Sequence, residues 1–172
     1  MEESVISKKL RIGWFSFTCC EDSTMMFIEL MNTYFFEWKE LIDFRYAKFL
    51  KKQNVIDEMD VAFVEGAITS DKEKKQLLEI RQKAKKLIAI GACAVSGMPS
   101  SQRNLFNEEQ KKEIDAILVK FQFAEKVSKL EDLVQVDERV PGCPMDLSIF
   151  LRTLEKLFTE FNIKKESAHK DA

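Results

Sequence analysis

Histidine is nearly missing from this sequence. The single one, His169, stands in a charged C-terminal stretch, so histidine-based metal sites and Ser-His or Cys-His nucleophile pairs have nothing to build from. Glycine and proline are also scarce, five and three among 172 residues, which excludes collagen-like and low-complexity architectures. No run approaches the roughly 20 consecutive apolar residues of a membrane-spanning helix. Met1 to Lys9 carries two acidic residues followed by Lys8 and Lys9 rather than an apolar signal core, so a cytoplasmic location with no membrane span is expected. Neither a Gly-x-Gly-x-x-Gly nor a Walker-type loop occurs, which leaves nucleotide binding through those motifs unsupported. An excess of one charge is lacking too. With 27 basic residues against 29 acidic ones, there is no footprint for nucleic acid or an anionic membrane.

What remains is an ordinary globular composition, 45% hydrophobic and 33% charged, of a length suited to one domain. Lys9 to Phe17 reads as a strand buried on both faces. Asp22 to about Leu41 follows the helical period, with Asp22 or Ser23 as its cap. Ile42 to Leu50 reads as a second strand and Asp60 to Val64 as a third, with Glu65-Gly66 starting its exit loop. Ser70-Asp71 caps a charged amphipathic helix through about Lys86. Leu87 to Ile90 is the next strand, followed by a small-residue loop, Gly91 to Ala94. Asn107 to Phe121 is a helix capped by Asn107, Leu133 to Val136 a fifth strand, and Asp146 begins a last helix ending near Phe161. Strand alternating with helix is the signature of a doubly wound parallel sheet. The fold expected is therefore α/β and single-domain over residues 1–161, with a polar tail over 162–172.

The four cysteines fall in three loops, Cys19-Cys20, Cys93 and Cys143, each after an expected strand. In an open parallel sheet such loops share one edge, outside the carboxyl ends of the strands, where ligands bind. Reduced thiols in a cytosolic chain point to metal or catalysis rather than disulfides. A Cys19-Cys20 bridge would be strained. Four thiolates suit an iron–sulfur cluster, and zinc takes the same set, though usually from two close Cys-x-x-Cys knuckles that this chain lacks. The plain alternative is that the cysteines are small buried hydrophobes in a metal-free structural module. Gly91, Ala92, Ala94, Gly97 and Gly142 let backbone N–H groups approach a bulky anion, and Pro141 and Pro144 stiffen the Cys143 loop.

Taken in order, Thr18-Cys19-Cys20, Val64-Glu65-Gly66-Ala67, Gly91-Ala92-Cys93-Ala94 and Val140-Pro141-Gly142-Cys143-Pro144 resemble a known family. It comprises the proximal-cluster domain of nickel–iron hydrogenase small subunits and the homologous 20 kDa subunit of complex I. The resemblance runs from about Leu10 to Phe161. It implies a flavodoxin-like fold and one [4Fe-4S] cluster bound by Cys19, Cys20, Cys93 and Cys143. It also implies an electron-transfer role beside a large catalytic subunit that carries the nickel–iron site. A complex-I-like subunit passing electrons toward quinone is the second setting. Hydrogenase small subunits usually open with Cys-x-x-Cys. Here Phe17 lies three before Cys20 and Ser23 three after it. The tandem pair looks like the complex I subunit, in which both members are ligands, and a minority reading makes Ser23 an oxygen ligand in place of Cys19. No cysteine is left for further clusters, so onward electrons need another iron–sulfur or flavin subunit. The family's Glu-Gly suggests a proton-relay or interface carboxylate at Glu65, against the alternative of a solvated loop acid. Arg103 and Asn104 read as structural first. The aromatic run from Tyr34 to Trp38 reads as core, in part as partner interface.

Overall fold

The computed structural model describes residues 8–163. The elements are β1 (Leu10–Ser16), α1 (Asp22–Leu41), β2 (Ile42–Ala47), β3 (Met59–Glu65), α2 (Asp71–Lys83), β4 (Ala84–Ile90), α3 (Gly91–Ser96), α4 (Glu108–Phe121), β5 (Glu138–Val140) and α5 (Leu147–Glu160). The strands form one sheet in the order β2-β1-β3-β4-β5, and every neighbouring pair is parallel. This is the flavodoxin-like doubly wound order, whose switch point lies between β1 and β3. All seven residues of β3 are buried, as a central strand covered on both faces requires.

Two apolar layers sandwich the sheet. On one face Trp14 and Phe63 meet Phe27 of α1 and Phe150 of α5. The Trp14 and Phe27 rings stack at 4.2 Å with planes 5° apart. On the other face Phe15, Ala62 and Val64 meet Leu77 and Ile80 of α2. Each buried Phe, Val, Leu or Ile side chain among these contributes about 1.5–3 kcal/mol. Of the aromatic run in α1, Trp38 is buried, while Phe35 and Phe36 are 55% and 79% exposed.

Helix starts follow side-chain chemistry. Ser70 accepts from Glu73 N–H, Asn107 and Gln110 form a reciprocal capping box, and Asp146 accepts from Ile149 N–H at 3.0 Å; each satisfies an amide that the helix leaves free. At α1 the expected caps are not used. Glu21 takes the cap position in left-handed backbone, φ 63°, and no side chain closes the helix. Ser23 is committed elsewhere.

Four boundaries depart from the sequence reading. The second strand ends at Ala47, not Leu50, because the chain turns there with Leu50 N–H donating to Ala47 O at 3.0 Å. The second helix ends at Lys83, because the buried Ala84 already pairs with Met59 as the first rung of β4. Gly91 to Ala94, expected as a loop, is the first turn of α3. The fifth strand is Glu138–Val140, not Leu133–Val136. Val134 and Val136 are buried in the layer that holds Leu87, so their apolarity serves packing from irregular chain. The tie to β4 begins at Asp137, whose N–H donates to Leu87 O at 2.9 Å while its carboxylate accepts Leu87 N–H at 2.7 Å. Among the described residues no helix is long and apolar enough to cross a membrane. Most of the expected tail, with His169, lies outside the described residues.

Candidate metal centre

Backbone hydrogen bonds at the carboxyl edge of the sheet pull the cysteine loops together. Past the end of β1, Thr18 and Ala67 exchange bonds of 3.1 and 3.0 Å, which ties the exit of β1 to that of β3. Gly66 makes the tie possible. Its φ is +90°, and a Cβ there would stand 2.7 Å from the Phe17 carbonyl carbon, a position only glycine tolerates. Cys19 and Cys20 are thus left in the turn that Glu21 closes. β4 runs straight into α3, which presents Cys93. Ala92 N–H donates to Gly142 O at 2.7 Å, joining α3 to the Cys143 loop. Gly142 has φ +113°, and a Cβ there would meet Pro144 O at 2.5 Å. Ser23 Oγ, on α1, accepts Met145 N–H at 3.2 Å and anchors the far side of the same loop.

Cys19, Cys20, Cys93 and Cys143 consequently line one cleft, with Glu65 and Ser23 on its wall. All four are free thiols: Cys93 is buried, Cys19 half-buried, Cys20 and Cys143 exposed. The enclosed part of the cleft measures about 20 Å³, roughly one water's worth, and the two exposed cysteines form its open side. A larger group seated here would stand partly proud of the surface.

Burial, then the Glu65 carboxylate, pushes the Cys19 thiol up to about 12, against the Glu21 backbone N–H that favours its thiolate. At Cys20 the Asp22 N–H favours the thiolate, but partial burial, the Asp22 carboxylate and Cys143 outweigh it, and that thiol is raised too. Sulfurs so placed ionise when a cation supplies the missing charge. Glu65 is 2% exposed. Burial raises its carboxyl, while Thr24 Oγ1 at 2.5 Å and Ser16 Oγ at 2.8 Å donate to it. Trp14 Nε1 donates to Thr24 Oγ1 at 2.7 Å. Glu65 is therefore a buried, hydroxyl-bridged acid, not a solvated one.

A set of four cysteine sulfurs suits an iron–sulfur group and also zinc. Four cysteine sulfurs line the cleft, and backbone N–H groups favour the thiolate at Cys19 and Cys20. Among the described residues no three His, Cys, Asp or Glu side chains form a group that could hold a metal ion. Arg103 and Asn104 are structural: Arg103 Nη2 donates to Ala124 O at 2.7 Å, and Asn104 brackets the Val127 backbone at 2.8 and 2.9 Å. The sequence reading missed Ser16, Thr24 and Ser100, whose Oγ reaches Cys93 Sγ at 3.2 Å. A lone hydroxyl carries no spacing signal.

Residues 19–157 match the family model of the NADH ubiquinone oxidoreductase 20 kDa subunit. The chain is 30% identical over 136 residues to a subunit of the F420-non-reducing hydrogenase of Methanothermobacter thermautotrophicus, a match covering 70% of this chain and 44% of that one. It is 24% identical over 165 residues to the delta subunit of the NAD-reducing hydrogenase HoxS of Cupriavidus necator, covering 87% and 78%. The chain spans only 39% to 53% of the length of its relatives from F420-non-reducing hydrogenases. Among solved structures, a chain of an NAD+-reducing [NiFe]-hydrogenase in the H2-reduced state superposes with a TM-score of 0.77 at 22% identity, covering 94% of this chain and 97% of the other. That likeness establishes a shared fold.

Proposed function

Since the chain belongs to the NADH ubiquinone oxidoreductase 20 kDa subunit family, we propose that it is the electron-transfer subunit of a cytoplasmic nickel–iron-hydrogenase-like oxidoreductase. The observation that carries this is the convergence of Cys19, Cys20, Cys93 and Cys143, from three separate strand exits, on one cleft at the sheet's switch point. These four hold one [4Fe-4S] cluster. Such a group supplies a one-electron couple whose potential follows net charge, hydrogen bonds to sulfur and solvent exposure.

The chain's own residues set those three variables. The Glu21 and Asp22 N–H groups favour thiolate at Cys19 and Cys20. Ala67 and Val127 pack against Cys93 and keep water from it. The open side, at Cys20 and Cys143, is closed by the large catalytic subunit, in which the nickel–iron site resides. An obligate interface of this kind buries about 2,000 Å² or more. The cluster domain, expected over residues 1–161, comprises residues 8–161 of those described, and residues 1–7 lie outside the described residues. Electrons pass on to a further iron–sulfur or flavin subunit. Glu65 serves as a relay carboxylate on the cleft wall, held in place by the Ser16 and Thr24 hydroxyls that donate to it.

The tandem cysteines favour a second reading, a complex-I-like subunit passing electrons toward quinone. The large subunit separates the two settings: paired Cys-x-x-Cys nickel ligands belong to the first and their loss to the second. The direct test is anaerobic co-expression with the large subunit. The expected result is a stoichiometric complex with four iron and four acid-labile sulfide per chain and a paramagnetic signal on reduction. Zinc without sulfide, or no metal at all, would sink the proposal.

A further inference from the structure

We propose that Ser100 is a positioning residue whose hydroxyl holds the Cys93 sulfur and raises the reduction potential of the group seated in the cysteine cleft. The inference rests on the cluster reading above. Ser100 Oγ has one proton and two acceptors in reach, Thr18 O at 3.1 Å and Cys93 Sγ at 3.2 Å. The carbonyl does not need it. Thr18 O already accepts Ala67 N–H at 3.0 Å, so its backbone pairing is complete without the serine. The Thr18 hydroxyl is occupied separately, by Thr69 at 2.8 Å and Glu73 at 3.0 Å. The proton is therefore available to sulfur, and a thiolate is the stronger acceptor because it is charged.

The surroundings reinforce that preference. Cys93 is 7% exposed and packs with Ala67 and Val127, so water does not compete and the bond lies in a low dielectric. The segment bearing Ser100 is fixed by Gly97 N–H to Cys93 O at 3.0 Å, Ser101 N–H to Gly97 O at 2.8 Å and Gln102 N–H to Pro99 O at 3.1 Å. It curls back over the cysteine from which it departs. One-electron reduction by the redox partner adds one negative charge to the group and its thiolates. No bond breaks, and Ser100 keeps its proton. A fixed donor on the thiolate stabilises the more negative state further, so the hydroxyl favours reduction.

A serine that merely tied its loop to Thr18 would affect stability and leave the potential alone. The test is a redox titration, followed by paramagnetic resonance, of the whole complex carrying Ser100→Ala or Ser100→Thr. The titration reads only loaded protein, so partial loading does not blur it. Ser100→Ala should lower the equilibrium constant for reduction roughly three- to tenfold, where tenfold is 59 mV for a one-electron couple. Ser100→Thr, which keeps the hydroxyl, should stay near the parent value. Complete loss of iron in the alanine variant, even where threonine restores it, overturns the inference, because a hydroxyl that only ties its loop to Thr18 O predicts the same result. An unmoved potential in loaded Ser100→Ala overturns the inference alone, as does complete loss in both variants, which would place the residue in loop packing. Parent protein with no iron and sulfide overturns the cluster reading, and the inference with it.

Discussion

Ser23 Oγ accepts the Met145 backbone N–H at 3.2 Å, a buried bond between the first turn of α1 and the loop after Cys143. The residue three places after Cys20 is thereby engaged in holding one cysteine loop against another. Ser23→Ala leaves a buried amide without an acceptor, at a cost of about 1–3 kcal/mol. The expected outcome is a lower unfolding midpoint with iron and sulfide content retained. Loss of the cluster in this variant, with Cys19→Ser still loaded, would instead support Ser23 as an oxygen ligand.

The four cysteines predict a second pattern. Cys93→Ser and Cys143→Ser should abolish or severely deplete the cluster, and Cys19→Ser and Cys20→Ser should each perturb it. All four line the same cleft, and serine is a poor replacement for a thiolate on iron. Iron and acid-labile sulfide per chain are the measurements. Full occupancy in the Cys93 or Cys143 variant would break the four-cysteine assignment.

Features with a local cause were legible in the sequence. Ser70, Asn107 and Asp146 cap helices because a short polar side chain before an amphipathic run has one strong local use. The alternation of strand and helix was enough for the doubly wound sheet, and the cysteine loops fell at its carboxyl edge because topology sends every strand exit there. Leu133 to Val136 misled because burial, not pairing, makes that stretch apolar. Glu21 was illegible for another reason: nothing in a glutamate announces left-handed backbone, yet φ 63° at this residue turns the tandem cysteines away from α1. Ser16 and Thr24 reach Glu65 across 49 and 41 residues, and Ser100 reaches Cys93 across 7 through irregular chain, contacts that no periodicity records.

Glu65 supports a third prediction. Its carboxylate accepts from two hydroxyls within the buried layer. In Glu65→Gln the amide oxygen can accept from both hydroxyls as Oε1 does, but a charged acceptor is lost and a buried NH2 donor takes the place of the other oxygen. A loss of about 1–3 kcal/mol follows, with the cysteine ligands untouched and cluster loading unchanged. If Glu65 relays protons, hydrogen-linked turnover should fall by at least an order of magnitude, since a general acid–base group is worth about 10²–10⁴. Undiminished turnover at full loading would confine Glu65 to a structural role.

The last prediction concerns the opposite edge of the sheet and is independent of any metal. Asp60, at the start of β3, is 2% exposed. Arg11 Nη2 lies 3.0 Å from its Oδ1 and Lys85 Nζ 2.9 Å. Arg11 N–H donates to Oδ2 at 3.1 Å. Burial alone would raise the Asp60 carboxyl, but the bonds from Arg11 and Lys85 outweigh it and hold the group at about 2, below the ordinary 3.8. Because the folded value is depressed, the pair stabilises the fold wherever the unfolded chain would also be ionised. That stability is fully present above about pH 4 and drains away as pH falls toward 2. It amounts to something on the order of 2 kcal/mol. Asp60→Asn keeps the shape and one acceptor oxygen while removing the charge. It should be less stable than the parent by about that amount at pH 7, and the two unfolding curves should converge between pH 4 and pH 2. Urea titrations across that range decide it. A gap that stays constant down to pH 2 would mean that Asp60 acts through shape and hydrogen bonding, with its charge contributing nothing.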